Sequence, residues 1–137
     1  MNLNMKIEDA LSIAANAHRG QKYGDGSAYI WHPIKVAQRI DDAGHDDELV
    51  MIALLHDVVE DSDWSLDDLR ERGASERVIA GVDGMSRRHY ESYAEFIDRC
   101  RENPDSVIVK RADMEENLSG DCPPSLASKY HKYLAIL

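Results

Sequence analysis

The segment Leu49-Val50-Met51-Ile52-Ala53-Leu54-Leu55 is apolar at every position, and it runs straight into His56-Asp57-Val58-Val59-Glu60-Asp61. A helix apolar on all sides must be buried on all sides, so this run has to sit at the centre of whatever the chain folds into. At about 3.6 residues per turn, Leu49, Ala53, His56 and Glu60 share one stripe, with Asp57 and Asp61 close beside it. The sequence thus predicts one helix over 47–61 that carries an imidazole and three carboxylates out of the interior on a single side. Unpaired buried charge costs on the order of several kcal/mol, so such groups need a cation or charged partners. Two readings follow: a metal centre at the floor of a cleft, or a run that ends at the surface with its acids solvated. A second cluster elsewhere has to choose between them.

Upstream, His18-Arg19-Gly20-Gln21-Lys22-Tyr23 closes a first helix, Asp25-Gly26 marks a turn, and Tyr29-Ile30-Trp31-His32-Pro33 leads into the next. Proline suits the first helical turn, which puts His32 at or just before the helix start. Downstream, Val107-Ile108-Val109-Lys110-Arg111-Ala112-Asp113 carries an aspartate into another apolar segment, with Asn117 four residues on and on the same face. Lys110, three residues before Asp113, shares that side; Arg111 does not. Two imidazoles and two carboxylates (His32, His56, Asp57 and Asp113) form a mixed nitrogen and oxygen set suited to one divalent transition ion.

These pieces resemble the HD-domain phosphohydrolases, and more closely the small stand-alone hydrolases related to the RelA/SpoT alarmone enzymes. The matching stretches are Ala17 to Lys22, Gly26 to Pro33, Ala53 to Asp61 and Val109 to Asp113, in family order across roughly residues 10 to 120. The resemblance implies an all-α helical bundle with the metal site between facing helices. It implies that His32, His56, Asp57 and Asp113 ligate one ion, manganese in the alarmone branch. It further implies that Glu60 and Asp61 serve the attacking water, while Arg19, Lys22 and Asn117 hold the nucleotide; Lys110 is counted with them for its place on the Asp113 side of the helix. Three features depart from the pattern. Ala28 stands where the family carries proline, Glu115 and Glu116 sit near a phosphate-binding stretch, and the chain is shorter than a typical alarmone hydrolase domain.

Length and charge agree with this reading. The 137 residues have room for one domain, taken as 1–137, and for a single core. A net charge of −10 argues against a nucleic-acid surface, which should be basic. It leaves an anionic small substrate possible, because a bound dication and local cations can reverse the field within a cleft. No apolar stretch reaches the ~18–20 residues of a membrane span, and Met1 to Glu8 lacks a signal-peptide core, so a cytoplasmic enzyme is expected. Cys100 and Cys122 have no metal or redox spacing and read as reduced thiols. Nothing in the sequence sets an oligomeric state.

Helices are expected near 5–19, 33–43, 47–61, 65–72, 75–86, 90–102, 105–119 and 125–137, with Ser65 and Asp68 as an N-terminal cap and Gly44 and Gly73 as stops. His18 reads first as a histidine at a helix C-terminus, favoured by the dipole, and second as a wall of the cleft. His131 with Tyr130 and Tyr133 reads as packing over the bundle. Arg87 and Arg88 either steer phosphates or cap the fifth helix. The function expected is hydrolysis of the 3′-pyrophosphate of a guanosine alarmone, a small nucleotide, by a metal-activated water. The alternatives are a metal-dependent phosphatase acting on another nucleotide (a nucleoside monophosphate or the 2′-phosphate of NADPH), or a nucleotide sensor without turnover.

Overall fold

The computed structural model describes residues 4–120 and 122–137. In chain order its helices are α1 (Ile7–Ala17), α2 (Trp31–Asp42), α3 (Asp47–Leu55), α4 (Val58–Asp61), α5 (Leu66–Glu71), α6 (Glu76–Met85), α7 (Tyr93–Cys100), α8 (Pro104–Ser119) and α9 (Pro124–Leu134). Among the described residues the one β pairing is an isolated antiparallel bridge between Lys22 and Ala28. The expected all-α bundle is therefore what the chain forms. No helix among the described residues is long and apolar enough to cross a membrane.

The apolar run becomes α3, and all of Leu49 through Leu55 is buried. Each large side chain of that run contributes roughly 1.5–3 kcal/mol on leaving water. It can be buried all round because α1, α2, α6 and α8 pack about it. They present Ala10, Ile13 and Ala14, then Val36 and Ile40, then Val78, Val82 and Met85, then Val109. The contact with α6 depends on Gly81, where a Cβ would land on the side chain of Ile52. Between α8 and α6 the Ser106 hydroxyl donates to the Gly81 carbonyl at 2.9 Å, so the buried polar group is satisfied. A smaller cluster of Phe96, Ile97 and Met114 is covered by Tyr93, Tyr130, Tyr133 and Leu134, which seats α9 on α7 and α8.

Local signals account for the boundaries. Ser65 and Asp68 form a capping box at α5, and the following turn closes at Gly73 with φ of 95°. The seventh helix starts at Tyr93 rather than at 90, because Ser92 caps it in a second box with Glu95. Asn103 caps α8, with Pro104 at its first position. One boundary departs from expectation in a way that matters. The helix expected over 47–61 is two helices, interrupted at His56-Asp57.

Candidate functional site

The site is built at that interruption. The regular hydrogen-bonded helix α3 ends at Leu55, His56 keeps helical angles (φ −60°, ψ −28°), Asp57 shifts to φ −103° and ψ −2°, and α4 starts at Val58. The His56 Nε2 and Asp57 Oδ2 atoms lie 3.0 Å apart. The His56 Nδ1–H donates to the Ala53 carbonyl at 2.5 Å, one turn back. This fixes the tautomer and leaves Nε2 as the outward lone pair. Asp57 Oδ2 is near that nitrogen but off its hydrogen-bonding direction, so Nε2 is buried without a hydrogen-bond partner.

His32 arrives from the first turn of α2 and Asp113 from the middle of α8. His32 Nε2 lies 2.7 Å from Asp113 Oδ1, and His56 Nε2 lies 3.5 Å from the same oxygen. One donor atom from each of His32, His56 and Asp113 falls within 4.8 Å of the others, and all three residues are buried. Asp57 links this group to a second carboxylate set, Asp57, Glu60 and Asp61, that opens to solvent. Two buried imidazoles and two carboxylates, each imidazole with one buried nitrogen left without a partner (His32 Nδ1 and His56 Nε2), match the needs of a divalent ion. These four residues could hold it. The donor groups also act on one another's charge. Burial opposes ionised Asp113, but the Lys110 ammonium together with His32 and His56 outweighs burial and holds the carboxyl well below its ordinary range. Burial likewise opposes charge on His56, yet Asp57 and Asp113 raise it. The Lys110 Nζ donates to Asp113 Oδ2 at 3.0 Å, so both oxygens of Asp113 are engaged.

Glu60 and Asp61 sit at the exposed rim on α4. Burial raises the Glu60 carboxyl, and the neighbouring Asp57 raises it further. Asp61 is raised by the same two causes in the same order. Glu60 Oε1 accepts the Arg87 backbone N–H at 2.9 Å, and its other oxygen has no hydrogen-bond partner among the described residues. The α4 turn is pinned from the far side by Gln21, whose amide donates to the Asp61 carbonyl at 2.9 Å.

Of the residues expected to bind substrate, Lys110 and Asn117 face the site side of α8. Lys110 pairs with Asp113 as its spacing predicts, while Arg111 turns to the Leu134 carbonyl at 3.2 Å. The Asn117 amide reaches the Tyr130 hydroxyl at 3.4 Å. Arg19 and Lys22 are exposed on the loop after α1, and neither has an ion-pair partner among the described residues. Lys22 neighbours Tyr23, whose ring centre is 5.7 Å from that of His32. Glu115 lies about 200° round the helix from Asp113 and points away, whereas Glu116 is paired with Arg39 at 2.9 Å. Arg88 pairs with Asp83 of α6 at 3.2 Å, while Arg87 turns toward the Tyr93 ring. His131 is exposed, and Tyr130 and Tyr133 pack as expected.

His18 corrects the simpler sequence reading. It does cap α1, but it is also 2% exposed, and its ring stands 5.0 Å from Tyr29. Its Nδ1 pairs with the Gln21 side-chain oxygen at 2.8 Å, and its Nε2 is buried without a partner. Tyr29 and Gln21 are the residues sequence reasoning left without a role. The Tyr29 hydroxyl donates to Asp57 Oδ2, and burial together with Asp57 raises its pKa. Tyr29 precedes His32 by three residues at the entry to a helix, and that spacing was the available signal.

The HD domain family model matches residues 10–115. The chain is 32% identical over 121 residues to a guanosine-3′,5′-bis(diphosphate) 3′-pyrophosphohydrolase of Aquifex aeolicus, covering 82% of this chain and 17% of that protein. It is 36% identical over 118 residues to a protein of the same name from Haemophilus influenzae, covering 77% and 17%. A GTP pyrophosphokinase of Streptomyces coelicolor is 33% identical over 122 residues, covering 82% and 14%. The chain thus spans about a sixth of the length of these curated relatives. A solved structure of a metazoan ortholog of SpoT, described as hydrolysing ppGpp, superimposes with a TM-score of 0.77. It shares 24% identity and covers 97% of this chain and 83% of its own. That likeness shows the same fold, and with His56-Asp57 at the floor of it the chain belongs to the HD-domain family.

Proposed function

We propose that this chain is a metal-dependent phosphohydrolase that removes the 3′-pyrophosphate of a guanosine alarmone. In this reading His32, His56, Asp57 and Asp113 hold one divalent ion, manganese. The partner is a small nucleotide, the setting is the cytoplasm, and nucleic acid and membrane play no part. The observation that carries the reading is one juxtaposition. A buried His/Asp donor set lies directly beside two rim carboxylates whose pKa values are raised. When bound there, a divalent ion supplies Lewis-acid polarisation of a phosphoryl oxygen and acidifies water.

The chain's own residues supply the rest. Glu60 takes the proton from the attacking water, because burial and Asp57 bring its carboxyl closer to the working pH. The Arg87 N–H holds one Glu60 oxygen and so aims the other. Asp61 assists from the same turn, and Gln21 keeps that turn against α1. Tyr29 steadies Asp57 and Lys110 steadies Asp113. Arg19, Lys22, Lys110 and Asn117 hold the nucleotide, guanidinium and ammonium groups being suited to phosphate oxygens. The water oxygen joins the proximal phosphorus, the ester bond to the 3′ oxygen breaks, the proton taken by Glu60 passes to that oxygen, and pyrophosphate leaves the guanosine 5′-nucleotide with a free 3′ hydroxyl. The paired Glu116 and the outward Glu115 remove the main electrostatic objection to a substrate with several phosphates.

The test is a comparison of kcat/KM in manganese for guanosine 3′,5′-bis(diphosphate) and for simple nucleotide monoesters. The bis(diphosphate) should be preferred. A clear preference for monoesters would overturn the substrate while leaving the metal-dependent chemistry in place.

A further inference from the structure

Three cations converge on one aromatic ring beside the carboxylate site. The Lys129 Nζ of α9 lies 3.7 Å from the centre of the Tyr93 ring. The Lys110 Nζ of α8 lies 5.8 Å from it. The Arg87 guanidinium carbon, on the loop between α6 and α7, lies 5.7 Å from it. Of these, only Lys110 has a carboxylate partner among the described residues, namely Asp113. Arg87 and Lys129 have no acid within ion-pairing distance there. In a chain of net charge −10, this is a local surplus of positive charge that the fold assembles from three separate elements.

The arrangement is held in place before any ligand arrives. Arg99 donates to the carbonyls of Asp83 and Ser86 at 2.9 and 2.7 Å and to Glu91 Oε2 at 2.8 Å. Glu91 in turn accepts the Arg88 backbone N–H at 2.8 Å. The loop that carries Arg87 is thereby tied at both ends, and the Arg87 Nε donates to the Glu91 carbonyl at 3.1 Å. Pre-ordering of this kind lowers the entropic cost of binding. Burial and then the neighbouring Arg87 and Lys110 lower the Lys129 ammonium, as expected where like charges crowd without an anion. The surplus also touches the chemistry on two sides. Lys110 bonds Asp113, and the Arg87 backbone bonds Glu60.

We infer that Arg87, Lys110 and Lys129, grouped around Tyr93, form a phosphate-binding subsite that takes the distal phosphate of a pyrophosphate group whose proximal phosphate lies at the His/Asp centre. The inference rests on the proposed phosphohydrolase reading and adds Arg87 and Lys129 to the substrate-binding residues. Lys110 joins the two places, bonding Asp113 at 3.0 Å while its Nζ lies 5.8 Å from the Tyr93 ring, so two linked phosphates can share it. Tyr93 supplies a flat floor against which the lysine stems and the guanidinium are positioned.

The test uses the full chain loaded with manganese and measures binding of inorganic pyrophosphate and inorganic phosphate by calorimetry. Wild type should bind pyrophosphate more tightly than phosphate. Lys129→Met and Arg87→Met should each weaken pyrophosphate binding by about tenfold or more, the usual effect of losing a charged hydrogen-bond donor. Lys129→Arg should restore most of the loss, whereas Lys35→Met, an equal charge change on the exposed face of α2, should leave binding unchanged. Failure of wild type to bind pyrophosphate would overturn the subsite. So would unchanged binding in both methionine variants, or an equal loss in Lys35→Met. If the pattern holds but the alarmone is not cleaved, the subsite stands and the substrate assignment falls. If the alarmone is cleaved with unaltered KM by both methionine variants, the assignment stands and the subsite falls.

Discussion

Replacing Glu60 by glutamine separates proton transfer from everything else the rim of the site does. Glu60 Oε1 accepts the Arg87 N–H at 2.9 Å, and the amide oxygen of glutamine can accept the same bond. The side chain keeps its length, its shape and its anchor. What it loses is the capacity to take a proton and the negative charge beside Asp57. General-base help is worth roughly 10²- to 10⁴-fold in rate, or about 3–5 kcal/mol of barrier. The expected outcome is a fall in kcat of that size with KM and bound manganese little changed. The measurement is steady-state kinetics at saturating manganese, with metal content determined by elemental analysis on the same sample. Turnover within a few-fold of wild type would refute the assignment and transfer the role to Asp61. A parallel loss of metal would show that Glu60 is a ligand rather than the base.

Three further outcomes follow from the same structure. His56→Ala removes a donor that no other residue replaces, so manganese should no longer raise the melting temperature. In wild type the gain should approach ~2.7 kcal/mol at a hundredfold excess over Kd, and an unchanged gain in the variant would exclude His56 as a ligand. Gly81→Ala drives a methyl into Ile52 and should cost about 1–3 kcal/mol in urea unfolding, with part regained by adding Ile52→Val; a neutral result would mean that α3 and α6 are not in such close contact. Glu91 is held at about 2, against an ordinary 4.5, chiefly by its hydrogen bond from Arg99. A depressed carboxyl stabilises the fold above its unfolded value and loses that contribution as pH falls through the folded one. The melting-temperature advantage of wild type over Glu91→Gln should therefore be full above pH 4.5 and shrink toward pH 2; an advantage independent of pH would contradict it.

How much of this was legible in the sequence depends on the range of the interactions involved. The unbroken apolar run announced a buried central helix, and the ordered His32, His56-Asp57 and Asp113 positions announced the donor set that the fold brings together. Both are carried by residue type and short spacing. The break at His56-Asp57 was not legible, because periodicity treats a helix as continuous and no proline or glycine marks the shift at Asp57. His18 was half legible. Its place at a helix C-terminus shows in the sequence, but its burial against Tyr29 depends on a loop folding back. The link from Gln21 to the Asp61 carbonyl spans forty positions, and Lys129 reaches Tyr93 from a different helix. No local pattern encodes such partners. Glu115 and Glu116 could not be oriented from the sequence either, since the pairing with Arg39 of α2 decides the second of them.

The most direct test of the account is a product analysis. The manganese-loaded chain is incubated with guanosine 3′,5′-bis(diphosphate), and pyrophosphate, phosphate and guanosine nucleotides are quantified by ion-exchange chromatography. The account predicts pyrophosphate and guanosine 5′-diphosphate in equal amounts, with both absent after chelation and in Asp57→Ala. Release of single phosphates, or equal release in the presence of chelator, would contradict it.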